Sequence, residues 1–127
     1  MKRLLITLAL TFATIISILA ATYKIDKFSM RTMLDNGTWS SWESKKSSVK
    51  TIEINDDGGY IELISNDSYI FQIISVKKTK DMDGILEKTY ECSDNEAEDC
   101  TIRSVRDRKT NSTTVYVEYP TTQYRYN

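Results

Sequence analysis

The side chains able to do acid–base or covalent chemistry in this sequence are carboxylates, tyrosines, lysines and two cysteines. The 127-residue chain contains 18 Asp and Glu residues and no histidine. The absence of histidine excludes Ser-His-Asp and Cys-His nucleophile arrangements and His-ligated catalytic zinc. Two facing carboxylates can hydrolyse glycosides, but 18 acids supply many chance pairs. We therefore predict no catalytic residue and no cofactor.

The two cysteines, Cys92 and Cys100, flank a short segment that is rich in acidic residues. An even cysteine count in an exported chain indicates a disulfide, and a hairpin can bring such residues within bridging distance. We expect a Cys92–Cys100 bond that contributes about 2–3 kcal/mol to stability. The acids between the cysteines leave calcium binding open, although their spacing does not match an EF-hand. We predict no metal site.

Two aromatic groups supply the candidate binding residues. Trp39 and Trp42 flank two serines, and Tyr124 and Tyr126 are two positions apart near the C-terminal end. In a strand, Tyr124 and Tyr126 point to the same face. Such rings can stack on a sugar or anchor a protein partner, but they can equally cover a core or pack across strands. The sequence favours packing for both groups and leaves binding as the alternative.

The N-terminal segment has the pattern of a secretory signal peptide. Lys2 and Arg3 precede an uncharged run from Leu4 to Ala21 that ends in small residues. We predict a signal peptide over residues 1–20, cleaved near residues 20 and 21, and a periplasmic or secreted product without a membrane anchor. An uncleaved anchor is the alternative, because a run of about 18 apolar residues is near the minimum for spanning a bilayer.

Alternation of apolar and polar residues at period two recurs through residues 21–127 and predicts strands with one buried face. It begins at residues 23–31, and turn signals such as residues 35–37 and 55–59 separate the later segments. We predict a single all-β domain, a small antiparallel meander of seven to eight strands forming a barrel or sandwich. Residues 68–77 are apolar on both faces, which predicts a strand covered on two sides. Residues 78–84 are predicted as a charged loop.

The order of these motifs resembles a family. After the signal segment come the Trp39-Ser40-Ser41-Trp42 element, the Ile52-Glu53-Ile54 strand, the cysteine pair with its acidic loop, and a strand reading Val-Tyr-Val-Glu-Tyr over residues 115–119. This pattern is similar to the small exported all-β proteins of Bacteroidetes that have no assigned function. The resemblance covers most of residues 21–127. It implies export and a compact β fold, and it carries over no catalytic or binding residue.

Signal cleavage removes two basic residues, which leaves 15 basic and 18 acidic residues and a net charge of −3. This balance gives no basic patch of the kind that binds nucleic acid. Export, the missing histidine and the surplus aromatic residues favour a non-enzymatic module that binds an unidentified protein or glycan. A small-ligand carrier resembling a lipocalin-like mini-barrel is the first alternative, and a carboxylate-based hydrolase is the weakest.

Overall fold

The computed structural model describes residues 20–127, which form ten strands and no helix. The strands are β1 (Ala20–Lys24), β2 (Phe28–Thr32), β3 (Glu43–Lys45), β4 (Thr51–Asn55), β5 (Tyr60–Ile64), β6 (Tyr69–Met82), β7 (Ile85–Ser93), β8 (Asp99–Asp107), β9 (Ser112–Glu118) and β10 (Thr122–Tyr126). Residues 1–19, which carry most of the predicted signal peptide, lie outside the described part. Residues 20–127 contain no helix long and apolar enough to cross a membrane.

All ten strands belong to one antiparallel sheet with the order β1-β4-β5-β6-β7-β8-β9-β10-β2-β3. The predicted meander is confirmed from β4 to β10, where each strand pairs with the next in the chain. β1 and β2 pair with opposite ends of this meander, yet only residues 25–27 connect them. Because so short a connection spans at most about 14 Å, the sheet must curl, and it forms a half-barrel.

The predicted number of seven to eight strands is wrong, and two local features explain the difference. Residues 23–31 alternate as one strand, but Ile25 is buried at a corner where β1 ends and β2 leaves for the other end of the sheet. β3 is a three-residue edge strand with every residue exposed, so it lacks the apolar alternation that predicts a strand.

The predicted loop at residues 78–84 is also wrong, because β6 continues to Met82. Asp83 and Gly84 have positive φ angles of 56° and 79°, and they connect the paired residues Met82 and Ile85. An Asp-Gly pair at positive φ closes a two-residue hairpin whose twist matches the strands. Two register shifts, between Ile73 and Ser75 and between Val76 and Lys78, let this charged strand stay paired with β7.

The core covers one face of the curled sheet. Its fully buried members come from five strands of the meander, β4, β5, β7, β8 and β9, and they include Ile52, Ile61, Ile102 and Val115, each 0% exposed. β6 does not meet the expectation of burial on two sides. Phe71 is 6% exposed, whereas Ile70 is 52% exposed on the opposite face. The strand is therefore covered on its inner side only, and its outer apolar residues face solvent.

Candidate binding cleft

A cleft with a volume of about 690 Å³ opens on the core side of the half-barrel. The floor of the cleft is the buried face of the sheet, because three core residues also line the cleft: Leu63, Phe71 and Val117. Its aromatic lining consists of Tyr69, Phe71, Tyr119, Tyr124 and Tyr126, and its hydroxyl lining includes Ser47, Ser48, Thr121 and Thr122. We call this site the aromatic cleft. Its volume is within the range of small-molecule sites, about 300–1,000 Å³.

The alternation of β10 places two of the tyrosines. Tyr124 and Tyr126 lie on the same face, as predicted, and that face is the inner one, whereas Arg125 between them lies on the outer face. Phe28 of β2 holds both rings, with centroid distances of 5.9 Å to Tyr124 and 4.9 Å to Tyr126. Tyr119 meets Tyr124 edge-on at 6.3 Å. Stacked and edge-on pairs of this kind fix ring orientation, so the cleft is preorganised.

Tyr119 ties the cleft to the acidic hairpin loop between the cysteines. Its hydroxyl donates to Asp94 Oδ2 at 2.8 Å, while Asp94 Oδ1 accepts the backbone N–H groups of Glu96 and Glu98 at 2.9 Å each. The Glu98 N–H bond is the main cause that lowers the pKa of Asp94. This turn also sets Glu98 at the edge of the cleft. Asp94 therefore shapes the loop through bonds within the chain.

Two tyrosines of the cleft, Tyr119 and Tyr126, have raised pKa values. Burial is the main cause that raises the pKa of Tyr119, and the bond to Asp94 adds to it. Burial likewise raises the pKa of Tyr126. A neutral phenol presents a ring face and a hydroxyl that both donates and accepts hydrogen bonds. The cleft can thus bind a ligand through stacking and hydrogen bonding.

A second depression of about 300 Å³ adjoins the aromatic cleft. It shares Lys46, Ser47 and Val49 with the cleft, and Phe28 forms part of its wall. Its charged lining residues are Lys27, Lys45, Lys46, Lys50 and Asp26. We call these four lysines the lysine rim. The β1–β2 connection, β3 and the segment between β3 and β4 bring them together.

Trp39 and Trp42 lie on the other face of the sheet, away from Tyr124 and Tyr126. The Arg31 guanidinium is 5.1 Å from the Trp39 ring and 4.5 Å from the Trp42 ring. The Arg125 guanidinium is 4.4 Å from the Trp42 ring, and its buried Nε has no hydrogen-bond partner among the described residues. Cation–π attraction of this kind favours a guanidinium lying flat on an indole ring. The two aromatic groups therefore form two separate regions.

Tyr116 extends this second region, which we call the outer aromatic stack. Its ring is 6.1 Å from Trp42 and 4.2 Å from the Arg103 guanidinium. Arg103 is anchored by Glu87 at 3.1 Å and Glu118 at 3.3 Å. Stacked rings and paired charges cover the outer face of β8, β9, β10 and β2.

The prediction of a disulfide is wrong, because Cys92 and Cys100 are free thiols. They are direct partners in the β7–β8 register and are buried at 0% and 5% exposure. Burial is the main cause that raises the pKa of Cys92 to about 12 and that of Cys100 to about 11. Here the cysteines pack as small apolar side chains in the core beneath the cleft. The even cysteine count suggested a bond that the core does not contain.

The acidic loop was also left open as a calcium site. Among residues 20–127, no group of three or more Cys, Asp or Glu side chains is arranged to hold a metal ion. Both oxygens of Asp94 already accept hydrogen bonds from the chain. In the described residues, Asp94 therefore acts as a hydrogen-bond acceptor that holds the loop.

The chain has no significant match among protein-family models, curated proteins or solved structures. The resemblance to exported β proteins of Bacteroidetes stays a prediction that rests on its motifs.

Sequence reasoning missed several residues of the cleft. Tyr119 carries a signal, because it continues the alternation of Val115 and Val117 and so points to the inner face. Tyr69 and Lys46 carry none. They come from segments far from β10 in the chain, and only the curl of the sheet brings them to the same cleft.

Proposed function

We propose that this chain is a non-enzymatic binding module and that the aromatic cleft is its ligand site. The observation that carries the proposal is the set of five aromatic side chains around an open volume of about 690 Å³. Aromatic rings in a concave site supply large contact area at a small entropy cost, and a few polar groups then fix ligand orientation. A glycan or a segment of a protein partner is the ligand class that this lining suits.

The polar groups of the cleft support binding over hydrolysis. Glu98 is the single carboxylate among the described residues that line it. Glycoside hydrolysis by acids needs two facing carboxylates, one to donate a proton and one to act as base or nucleophile. The raised pKa of Tyr119 makes it a poor base or nucleophile near neutral pH. Hydroxyl groups and rings, in contrast, hold a ligand without transforming it.

A carrier function is the second candidate, and the position of the cavity argues against it. A carrier barrel encloses its ligand in an apolar lumen. Here Ile52, Ile61 and Ile102 are 0% exposed and fill the interior of the curl. The remaining volume lies above them and is bordered by Ser48, Thr121 and other hydroxyl groups. This lining suits a polar ligand bound at the surface.

We also propose that the protein acts in the periplasm or outside the cell, after loss of residues 1–20. The support is the basic head and uncharged run at the N-terminus. Expression of the full chain in a bacterial host, followed by fractionation and intact mass measurement, tests this. A mature mass in the periplasm or medium is expected, and full-length protein in the cytoplasm or membrane would contradict it.

The binding proposal is tested by a thermal-shift screen of residues 21–127 against neutral glycans, acidic glycans, peptides and lipids. A ligand that binds only the folded protein raises its melting temperature. Tyr69→Ala and Ile70→Ala are a matched pair, since the two residues are adjacent in β6 and 48% and 52% exposed. Tyr69 lines the cleft and Ile70 points away from it. We expect the first variant to lose the shift and the second to keep it. Equal loss, or no shift with any ligand, would contradict the proposal.

A further inference from the structure

We propose that the ligand is an acidic oligosaccharide, with its sugar rings on the aromatic cleft and its carboxylates along the lysine rim. This inference rests on the proposed function and names the ligand class of the same site. Three features of the molecule carry it: the charge of the rim, the continuity of rim and cleft, and the chemistry of the cleft lining.

The depression that holds the lysine rim has a net positive charge, four lysines against Asp26, in a chain with an overall net charge of −1. Lys27, Lys46 and Lys50 take part in none of the ion pairs found within residues 20–127, and all three are exposed. Lys45 has one intrastrand pair, with Glu43 at 3.5 Å, and the two side chains are 48% and 65% exposed. A cluster of like charges in a concavity attracts anions and raises their local concentration. The rim therefore has positive charge available for an anionic ligand.

Rim and cleft form one continuous surface. Lys46, Ser47 and Val49 line both depressions. Phe28 borders the rim and stacks on Tyr124 and Tyr126 in the cleft. A ligand lying on the tyrosines thus extends directly to the lysines. This geometry suits a chain in which anionic groups and flat faces recur along its length.

The cleft lining selects a sugar over an acyl chain. A sugar ring has one face of C–H groups, which packs on aromatic rings, and an equator of hydroxyls, which need hydrogen-bond partners. Tyr69, Tyr119 and Tyr124 supply ring faces, and Ser48 and Thr121 supply side-chain donors and acceptors. An acyl chain would displace water from these exposed polar groups without replacing its hydrogen bonds, which costs binding free energy. Uronic acid residues combine the required ring with the required carboxylate.

The experiment is isothermal titration of residues 21–127 with short linear oligomers of galacturonate and of mannuronate. Each is compared with its methyl ester, which keeps the ring and removes the charge. We expect one of the acids to bind at least tenfold more tightly than its ester. Its affinity should fall as salt rises from 0.01 to 0.15 M, because the screening length shortens from about 30 to 8 Å.

Two sets of variants locate the charge contacts. Lys46→Gln with Lys50→Gln should weaken binding of the acid by about tenfold, the effect of two partly exposed ion pairs. Lys78→Gln with Lys80→Gln is the matched control, since it makes the same charge change at exposed positions of β6, outside both depressions. The control should bind as the parent does.

The outcomes separate this inference from the proposed function. If esters or neutral sugars bind as well as the acids, or if both lysine pairs have equal effects, the ligand is not an acidic saccharide. Binding of a fatty acid or an acidic peptide instead, with loss in Tyr69→Ala, would also overturn the inference and keep the cleft as a binding site. Binding of the acids that is insensitive to Tyr69→Ala would overturn both.

Discussion

The two faces of the sheet carry aromatic groups in opposite situations. On the outer face, Trp42 and Tyr116 each lie against an arginine at 4.4 and 4.2 Å. On the inner face, Tyr69 is 48% exposed and borders an open volume together with Tyr124. The rings of the outer stack already have partners within the chain. The inner rings also pack on one another, but they border an open volume, and this opening rather than the number of aromatic residues locates the candidate site.

The largest expected effect concerns the buried face that supports the cleft. The pKa of Cys92 is raised to about 12, mainly by burial, while a free thiol has a pKa of about 8.5. At pH 8 the native thiolate population should be about a thousandfold below that of the unfolded chain. We expect slow alkylation of native protein and rapid modification of two thiols in denaturant, measured by mass spectrometry without reductant. Absence of reactive thiols in denaturant would mean that the cysteines are bonded.

The outer aromatic stack should act mainly on stability. Trp42→Ala removes a ring that packs on Arg31, Arg125 and Tyr116 and leaves two guanidinium groups without it. We expect a loss of roughly 2–3 kcal/mol, less than a fully buried tryptophan, because Trp42 is half-buried. Urea unfolding followed by circular dichroism measures it. A loss below 0.5 kcal/mol would remove the packing interpretation of the stack and return Trp42 to the list of binding candidates.

The cleft should show the reverse behaviour. Tyr69→Ala removes an exposed ring from an open site, so the free energy of unfolding should change by less than about 0.5 kcal/mol. The same urea titration measures it, with Ile70→Ala as the control on the opposite face. A large loss of stability would mean that Tyr69 is a packing residue, and the contrast between the two regions would fail.

The smallest expected effect is a pH dependence at the loop that borders the cleft. Hydrogen bonds from the Glu98 and Glu96 N–H groups and from Tyr119 lower the native pKa of Asp94. A lowered carboxyl pKa stabilises the fold above the unfolded pKa, about 3.9, and this contribution disappears as pH falls through the native pKa. Asp94→Asn keeps an acceptor oxygen but removes the charge.

We therefore expect Asp94→Asn to melt at a slightly lower temperature than the parent at pH 7 and at the same temperature in strong acid. Thermal unfolding between pH 2 and pH 7 measures this convergence. A difference that persists unchanged in acid would show that the charge of Asp94 does not hold the loop.

Local sequence patterns predicted most of the strands and the shared face of Tyr124 and Tyr126, but not the arginine contacts of the outer stack. Alternation placed Tyr124 and Tyr126 on one face, since a strand's side chains alternate whatever its partners. The Asp83-Gly84 turn was equally local, but it lay among charged residues that indicated a loop. Arg31 is the one arginine near Trp39 and Trp42 in the sequence. The contact between Trp42 and Arg125 instead depends on the pairing of β2 with β10, which are far apart in the chain.

The cleft itself depends on curvature that no local pattern encodes. Lys46 and Tyr69 meet Tyr124 because residues 25–27 draw the two ends of the sheet together. The cysteine pair shows a second property that local sequence does not predict. The sequence predicted a Cys92–Cys100 disulfide, which is wrong. The register places the two residues opposite each other, but spacing alone does not determine the oxidation state of two buried thiols.

A ligand of this protein should contact the inner tyrosines and not the outer aromatic stack, and side-chain NMR distinguishes the two regions. The two indole N–H resonances report Trp39 and Trp42, and selectively labelled tyrosine rings report the cleft. On addition of the ligand that gives the largest thermal shift, we expect the Tyr69 and Tyr124 ring resonances to move and both indole signals to stay unchanged. Movement of the Trp42 indole signal, with the tyrosines of the cleft unchanged, would contradict it.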